Sequence, residues 1–175
     1  MSAARALFAQ NGYAGTGTPE IVQAAGVTRG ALYHHFADKA ALFATVVEEE
    51  HMLLAMAINA ATESEDEPGP VKALVAGGDA FLDAMQDQGR RRILLVDAPA
   101  VLGRAAVDEI DGRHGLRTLV EGVTAAMEAK AIRELPAVPL AHLLNALFDR
   151  AALAPPEEVN DYRKAIKALI RGLKI

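Results

Sequence analysis

The sequence predicts an all-α protein, and three observations carry the prediction. Ala and Leu lead a composition that is 51% apolar and only 5% aromatic, which favours helices over a sheet. Apolar residues recur at helical spacing along most of the chain. Residues 18–43, TPEIVQAAGVTRGALYHHFADKAALF, hold two short helical patterns around a glycine-containing joint, the pattern of a helix-turn-helix. At 175 residues the chain exceeds what one such unit needs, so a small N-terminal domain and a larger second one are expected.

Taken in order, residues 3–10 read as a helix with Ala4, Leu7 and Phe8 on one side and Gly12 as its stop. Thr18 then caps a second helix, with the favourable Pro19 at its first position. Ile21, Val22, Ala24 and Ala25 give that helix an apolar side, and Gly26 breaks it. Thr28 caps a third, over residues 29–36, in which Leu32 and Phe36 point inward. In a helix-turn-helix this third helix enters the major groove. Arg29 can then donate to a guanine edge or a phosphate, and the Thr28 hydroxyl can reach a phosphate. Gly30 and Ala31 leave room for the duplex, Tyr33, His34 and His35 offer phosphate or base contacts, and Lys39 can pair with a phosphate. The two histidines are adjacent, so they do not share a helix face as a metal pair would, and no metal site is expected of them.

Asp38 caps a long helix over residues 39–60, whose buried side starts with Leu42, Phe43, Val46 and Val47 and continues with Met52, Leu53, Met56 and Ala57. Residues 62–70, TESEDEPGP, form a charged, proline-ended loop. A helix follows over 71–86, where Gly77-Gly78 weakens it or permits a close crossing. The basic run Arg90-Arg91-Arg92 is read as pairing with Asp83, Asp87 or Asp97 rather than with nucleic acid, and residues 93–96 as a short buried helix. Pro99 starts or kinks a helix. Asp108, Glu109, Asp111 and His114 could hold a metal, but residues 111–115 read better as a loop or helix entry. Helices over 116–130, 140–153 and 157–173 complete the chain. The last two carry Leu143, Leu144, Leu147 and Phe148, and Tyr162, Ile166, Leu169, Ile170 and Leu173.

Composition narrows the chemistry. With no cysteine, thiol catalysis, disulfides and Cys-ligated metals are excluded, and no cofactor is expected. No apolar run reaches the roughly 18 residues that span a bilayer, and no basic leader opens the chain, so a cytoplasmic protein without a membrane partner is expected. The net charge is -5, yet residues 1–45 carry +1 and the remainder -6. Such an asymmetry fits nucleic-acid contact confined to one end.

The run Ala24-Ala25-Gly26-Val27-Thr28-Arg29-Gly30-Ala31-Leu32-Tyr33-His34-His35-Phe36, followed by Asp38-Lys39-Ala40-Ala41-Leu42-Phe43, closely resembles the N-terminal domain of the TetR family of bacterial transcriptional regulators. Upstream, Ala6-Leu7-Phe8, Gly12-Tyr13, Gly17-Thr18 and Ile21 resemble the rest of that pattern, and residues 97–103 resemble a segment of one C-terminal subgroup. The resemblance implies a three-helix DNA-binding head over residues 1–45 and a helical effector-binding and dimerisation body over 46–175. It further implies a repressor that binds double-stranded operator DNA and is released by a small molecule.

Its DNA-facing positions fall on Thr28, Arg29, Gly30, Tyr33, His34 and Lys39, with Thr16 and Thr18 near the DNA backbone. Apolar surplus on the last two helices would form a homodimer interface, so that two heads about 34 Å apart read a palindrome. Phe81, Met85, Leu95, Leu102, Met127 and His142 are candidate effector-lining residues by composition alone. Two departures from the family pattern are the shortened front of the first helix, which leaves no basic arm for phosphates, and Val22-Gln23. An activator of the same fold shares this head, and a helical metal-dependent enzyme is the alternative of a different class; the chain offers it no glycine-rich phosphate loop.

Overall fold

Every regular element among the described residues, 1–63 and 69–175 of this computed structural model, is helical. Extended pairing among them is limited to one isolated bridge, Ile132 with Lys174. The contacts divide the chain into two units, Met1–His51 with Asp87–Ile110, and Met52–Gln86 with Asp111–Ile175. Asp87–Ile110 therefore packs with the N-terminal helices, although it follows them by some distance in the chain.

The first unit holds α1 (Ser2–Gly15), α2 (Thr18–Ala25), α3 (Arg29–His35) and the start of α4 (Lys39–Thr62). Gly12 bends α1 rather than ending it: its φ of 76° and ψ of 172° lie in a region that only glycine adopts readily. Phe8, Tyr13 and Phe43 close the centre, with the Phe8 and Phe43 rings edge to face at 5.0 Å. Ala4, Ile21, Leu42, Val46 and Val47 surround them, whereas Ala24 and Ala25 of α2 are exposed.

The buried side of α4 differs from the expectation past Val47. Glu50, His51, Leu54 and Ala55 continue the spacing set by Val46 and Val47 and are buried, while Met52, Leu53 and Met56 are 44%, 42% and 60% exposed and Ala57 is exposed too. Helical period, not apolarity, decides the face. A carboxylate can occupy position 50 because Arg5 and Arg90 reach it, at 2.8 and 2.7 Å. Burial pushes the Glu50 carboxyl up, but the hydrogen bonds from the two guanidinium groups outweigh it and hold the group below the ordinary carboxylate range.

The arginine run forms α6 (Gln88–Arg91), capped by Asp87, which accepts from the Gly89 and Arg90 N–H groups. The expected short buried helix is a π-helix, Arg92–Asp97: Ala98 N–H donates to the Ile93 carbonyl five residues back. Ile93 and Leu94 are buried and Val96 is exposed. Two of the three arginines find acidic partners, Glu50 for Arg90 and Asp97 for Arg92. Of the other two carboxylates named, Asp83 pairs with Arg163, and the Asp87 side chain meets Arg5. Pro99 lies in the first turn of α7 (Ala98–Leu102), and α8 (Arg104–Arg113) follows.

The second unit is built from α5 (Pro70–Ala84), α9 (Gly115–Glu128), α10 (Ala137–Ala152) and α11 (Val159–Arg171), with the end of α4. Gly77 and Gly78 do not interrupt α5; they are buried, and a Cβ at Gly78 would overlap the Phe148 ring, so the pair marks a close helix crossing. Pro139 sits in the first turn of α10, where a missing N–H costs no helical bond. Arg163 and Lys167 of α11 both reach Asp79 of α5, at 2.8 and 2.7 Å. Most of the charged loop expected over 62–70 lies outside the described residues, because 64–68 are not among them.

Asp108, Glu109, Asp111 and His114 do not make a metal-ligating group. Asp108 pairs with Arg104, and Asp111 accepts from the Leu116 N–H and the Asn145 amide. No group of metal-ligating side chains occurs among the described residues. No helix among them is long and apolar enough to cross a membrane.

Candidate nucleic-acid interface

Local chemistry forms the joint between α2 and α3. Gly26 takes the left-handed conformation that ends α2, at φ 66°. Thr28 then caps α3, its hydroxyl accepting the Ala31 N–H at 3.1 Å. Seven residues of helix follow, none of them buried. Arg29, Gly30, Tyr33, His34 and the neighbouring His35 are all exposed and Leu32 is half-buried, so α3 presents a row of donors and rings on the side away from its packing.

Within that row the side chains are not independent. The Arg29 guanidinium lies over the Tyr33 ring, 5.5 Å from its centroid. The Tyr33 hydroxyl meets the Thr18 hydroxyl at 3.4 Å. That hydrogen bond, with Arg29 close by, holds the phenol below its ordinary range. A Cβ on Gly30 would meet only the Thr28 hydroxyl oxygen at 3.9 Å, so the position stays open toward solvent. His34 and His35 stand edge to face with 5.3 Å between centroids.

Two expected residues have different surroundings. Thr16 is 1% exposed, and its hydroxyl donates to the Gly12 and Leu7 carbonyls at 2.7 and 3.1 Å. It secures the bend of α1 and does not present its hydroxyl to a phosphate. Thr18 is the first residue of α2 and not its cap; Gly17 holds the cap position, and its N–H donates to the Glu20 carboxylate at 2.8 Å. This leaves the Thr18 hydroxyl for Tyr33.

Lys39 is engaged rather than simply solvated. Its ammonium donates to the Tyr13 and Thr16 carbonyls, at 2.9 and 3.0 Å, and lies 4.0 Å from the Tyr13 ring centroid. Two of its three N–H donors are spent inside the head, which leaves one for a phosphate.

The six effector-lining candidates divide between the two units. Leu95 and Leu102 belong to the first unit, and Phe81, Met85, Met127 and His142 to the second. Phe81 and Met85 are buried and Met127 is half-buried, whereas His142 is exposed on α10. A cleft of about 270 Å³ opens in the second unit between α5 and the end of α11; Val71 and Val75 line it with Lys72, Arg171 and Lys174, and none of the six candidates does.

Sequence reasoning missed Tyr13, Arg92 and Asp97 as supports of this interface. Arg92 donates to the Gln10 and Asn11 carbonyls at 3.0 and 3.1 Å, and the Tyr13 N–H donates to Asp97 at 2.9 Å. A glycine in the midst of an otherwise helical pattern at position 12 was the available signal.

Comparison with known proteins agrees with this geometry. Residues 1–46 match the model of the bacterial regulatory proteins of the tetR family, and residues 71–173 match that of the tetracyclin repressor-like C-terminal domain. The chain is 34% identical over 92 residues to the A-factor receptor protein of Streptomyces griseus, covering 53% of this chain and 30% of that protein, so it matches under a third of that relative. It is 24% identical over 174 residues to the transposon Tn10 TetC protein of Escherichia coli, covering 98% of this chain and 87% of that one. The crystal structure of a TetR-family transcriptional regulator from Pectobacterium atrosepticum superposes with a TM-score of 0.79 at 31% identity, over 99% of this chain and 91% of the other. With both halves matched by family models, this chain belongs to the TetR family of transcriptional regulators and is a DNA-binding regulator, not an enzyme.

Proposed function

We propose that the protein is a homodimeric cytoplasmic repressor whose residues 1–45 bind a palindromic operator and whose residues 46–175 dimerise and take up a small apolar effector that releases the DNA. The observation that carries this reading is the exposed face of α3. Arg29 reads a base edge, with Tyr33, His34, Thr28 and Thr18 as neighbouring contacts and Gly30 giving the duplex room. Lys39 supplies one N–H to a phosphate.

Support for the dimer comes from the last two helices. Leu143 and Leu147 of α10 are 66% and 37% exposed, and Leu169 of α11 is 56% exposed, whereas Leu144, Phe148, Ile166 and Ile170 fill the core of their unit. Apolar side chains left outside a filled core fit a two-fold helical interface. Dimerisation also suits the head, because a seven-residue helix makes few base contacts alone. For the effector, the buried Phe81 and Met85 and the half-buried Met127 are the apolar lining candidates within one unit.

Selection of bound duplexes from a random DNA library tests the reading. A recovered palindrome with half-sites one helical turn apart is the expected result, and transcription from a promoter carrying it should fall when the protein is added. Recovery of no preferred sequence would overturn the proposal.

A further inference from the structure

Helix α1 bends at Gly12, and a bend removes backbone groups from the helical ladder. The groups around this one are answered from the π-helix. The Arg92 guanidinium takes the carbonyls of Gln10 and Asn11, and Asp97 takes the N–H of Tyr13. The π-helix between Arg92 and Asp97 sets the two side chains to share this task. Five residues of α-helix would turn their side chains about 140° apart. The wider π-helical turn reduces that offset, and the Arg92 Nε lies 3.7 Å from the Asp97 carboxylate that also accepts from Tyr13.

Tyr13 passes this constraint on. The residue whose N–H is held by Asp97 offers its carbonyl and its ring face to the Lys39 ammonium, and Thr16, hydrogen-bonded back to the Gly12 carbonyl, offers the second carbonyl. The bend therefore determines where two of the three Lys39 donors go, and by tetrahedral geometry where the third points.

We propose that Arg92 and Asp97 are positioning residues for DNA binding: by holding the bend at Gly12 and Tyr13 they aim the remaining Lys39 N–H at a phosphate. The proposal rests on the DNA-binding reading above. It assigns DNA affinity to two residues more than fifty positions along the chain from the recognition helix, which have no part in contacting DNA themselves.

Salt dependence separates this role from a merely structural one, because the slope of log affinity against log salt counts phosphate contacts. The probe is a duplex carrying the site recovered by selection, titrated with the full-length protein. Lys39→Gln should lower the slope by about 0.9 per protomer. Arg92→Ala and Asp97→Ala should each lower it by a similar amount, and neither should lower it further when combined with Lys39→Gln. The base preference read by Arg29 should stay unchanged. Wild-type slopes in Arg92→Ala and Asp97→Ala, beside a lowered slope in Lys39→Gln, overturn the proposal alone; so does a decrease fully additive with Lys39→Gln. A wild-type slope in Lys39→Gln overturns the phosphate reading of Lys39 and this proposal with it. Arg92 is 42% exposed, so its variant decides the matter if Asp97→Ala does not fold.

Discussion

Glu50 accepts a hydrogen bond from the Arg5 Nε at 2.8 Å, although the two residues are 45 positions apart in the chain and the carboxylate is 3% exposed. Its other oxygen takes Arg90 at 2.7 Å. Replacing Glu50 by Ala removes the anion between two cations. Both guanidinium groups keep access to water, at 31% and 18% exposure, so the loss should fall below that of a fully buried pair, at about 1–3 kcal/mol. Chemical denaturation of the variant beside the wild type measures it.

The same carboxylate sets an acid limit. A folded-state pKa below the ordinary value contributes stability that is present above about pH 4.5 and is lost as pH falls through the folded pKa. Asp87, which burial pushes up but Arg5 and the Arg90 and Gly89 N–H groups pull below the usual range, acts in the same direction. Thermal midpoints recorded from pH 7 to pH 3 should fall steeply below about pH 4.5, and Glu50→Gln should flatten that fall.

Gly12 should not tolerate a side chain. Its backbone lies in the region nearly reserved for glycine, and a Cβ would overlap the Arg92 guanidinium. Gly12→Ala should cost about 1–3 kcal/mol from the backbone alone, with the displaced Arg92 adding to it. Gly26→Ala, where φ is also positive but no atom lies within 4 Å of a built Cβ, should cost less. Melting curves of the two variants compare strain with and without a clash.

Leu143 and Leu169 should govern assembly without governing the fold. Each is more than half exposed, so Leu143→Glu or Leu169→Glu leaves the core of its unit intact. Sedimentation should show the wild type as a dimer and the double variant as a monomer with unchanged helical signal. The monomer should bind a half-site far more weakly than the dimer binds the full site. A wild-type sedimentation profile in the double variant would remove these helices from the interface.

Much of this was legible in the chain. Gly26 and Thr28 announced the joint because turn and cap chemistry is local. Gly77-Gly78 announced a close crossing, and Phe148 is what crosses there. The errors share a physical cause, which is dependence on distant partners. Thr16 has the residue type of a phosphate ligand, but two carbonyls of α1 claim its hydroxyl. Met52 and Leu53 have the residue type of a core, but the helical period gives their places to Glu50 and His51. Arg92 and Asp97 stand at a spacing that pairs in a π-helix and not in an α-helix, so an α-helical reading separates them.

None of the seven residues of α3 is buried. The cap at Thr28 and the turn at Gly26 fix the start of the helix from outside its exposed face. On the DNA-binding reading proposed above, substitutions at positions 29, 30, 33 and 34 should therefore change DNA recognition far more than folding. In evolutionary terms, that reading lets the recognised site drift while the fold that carries α3 stays the same.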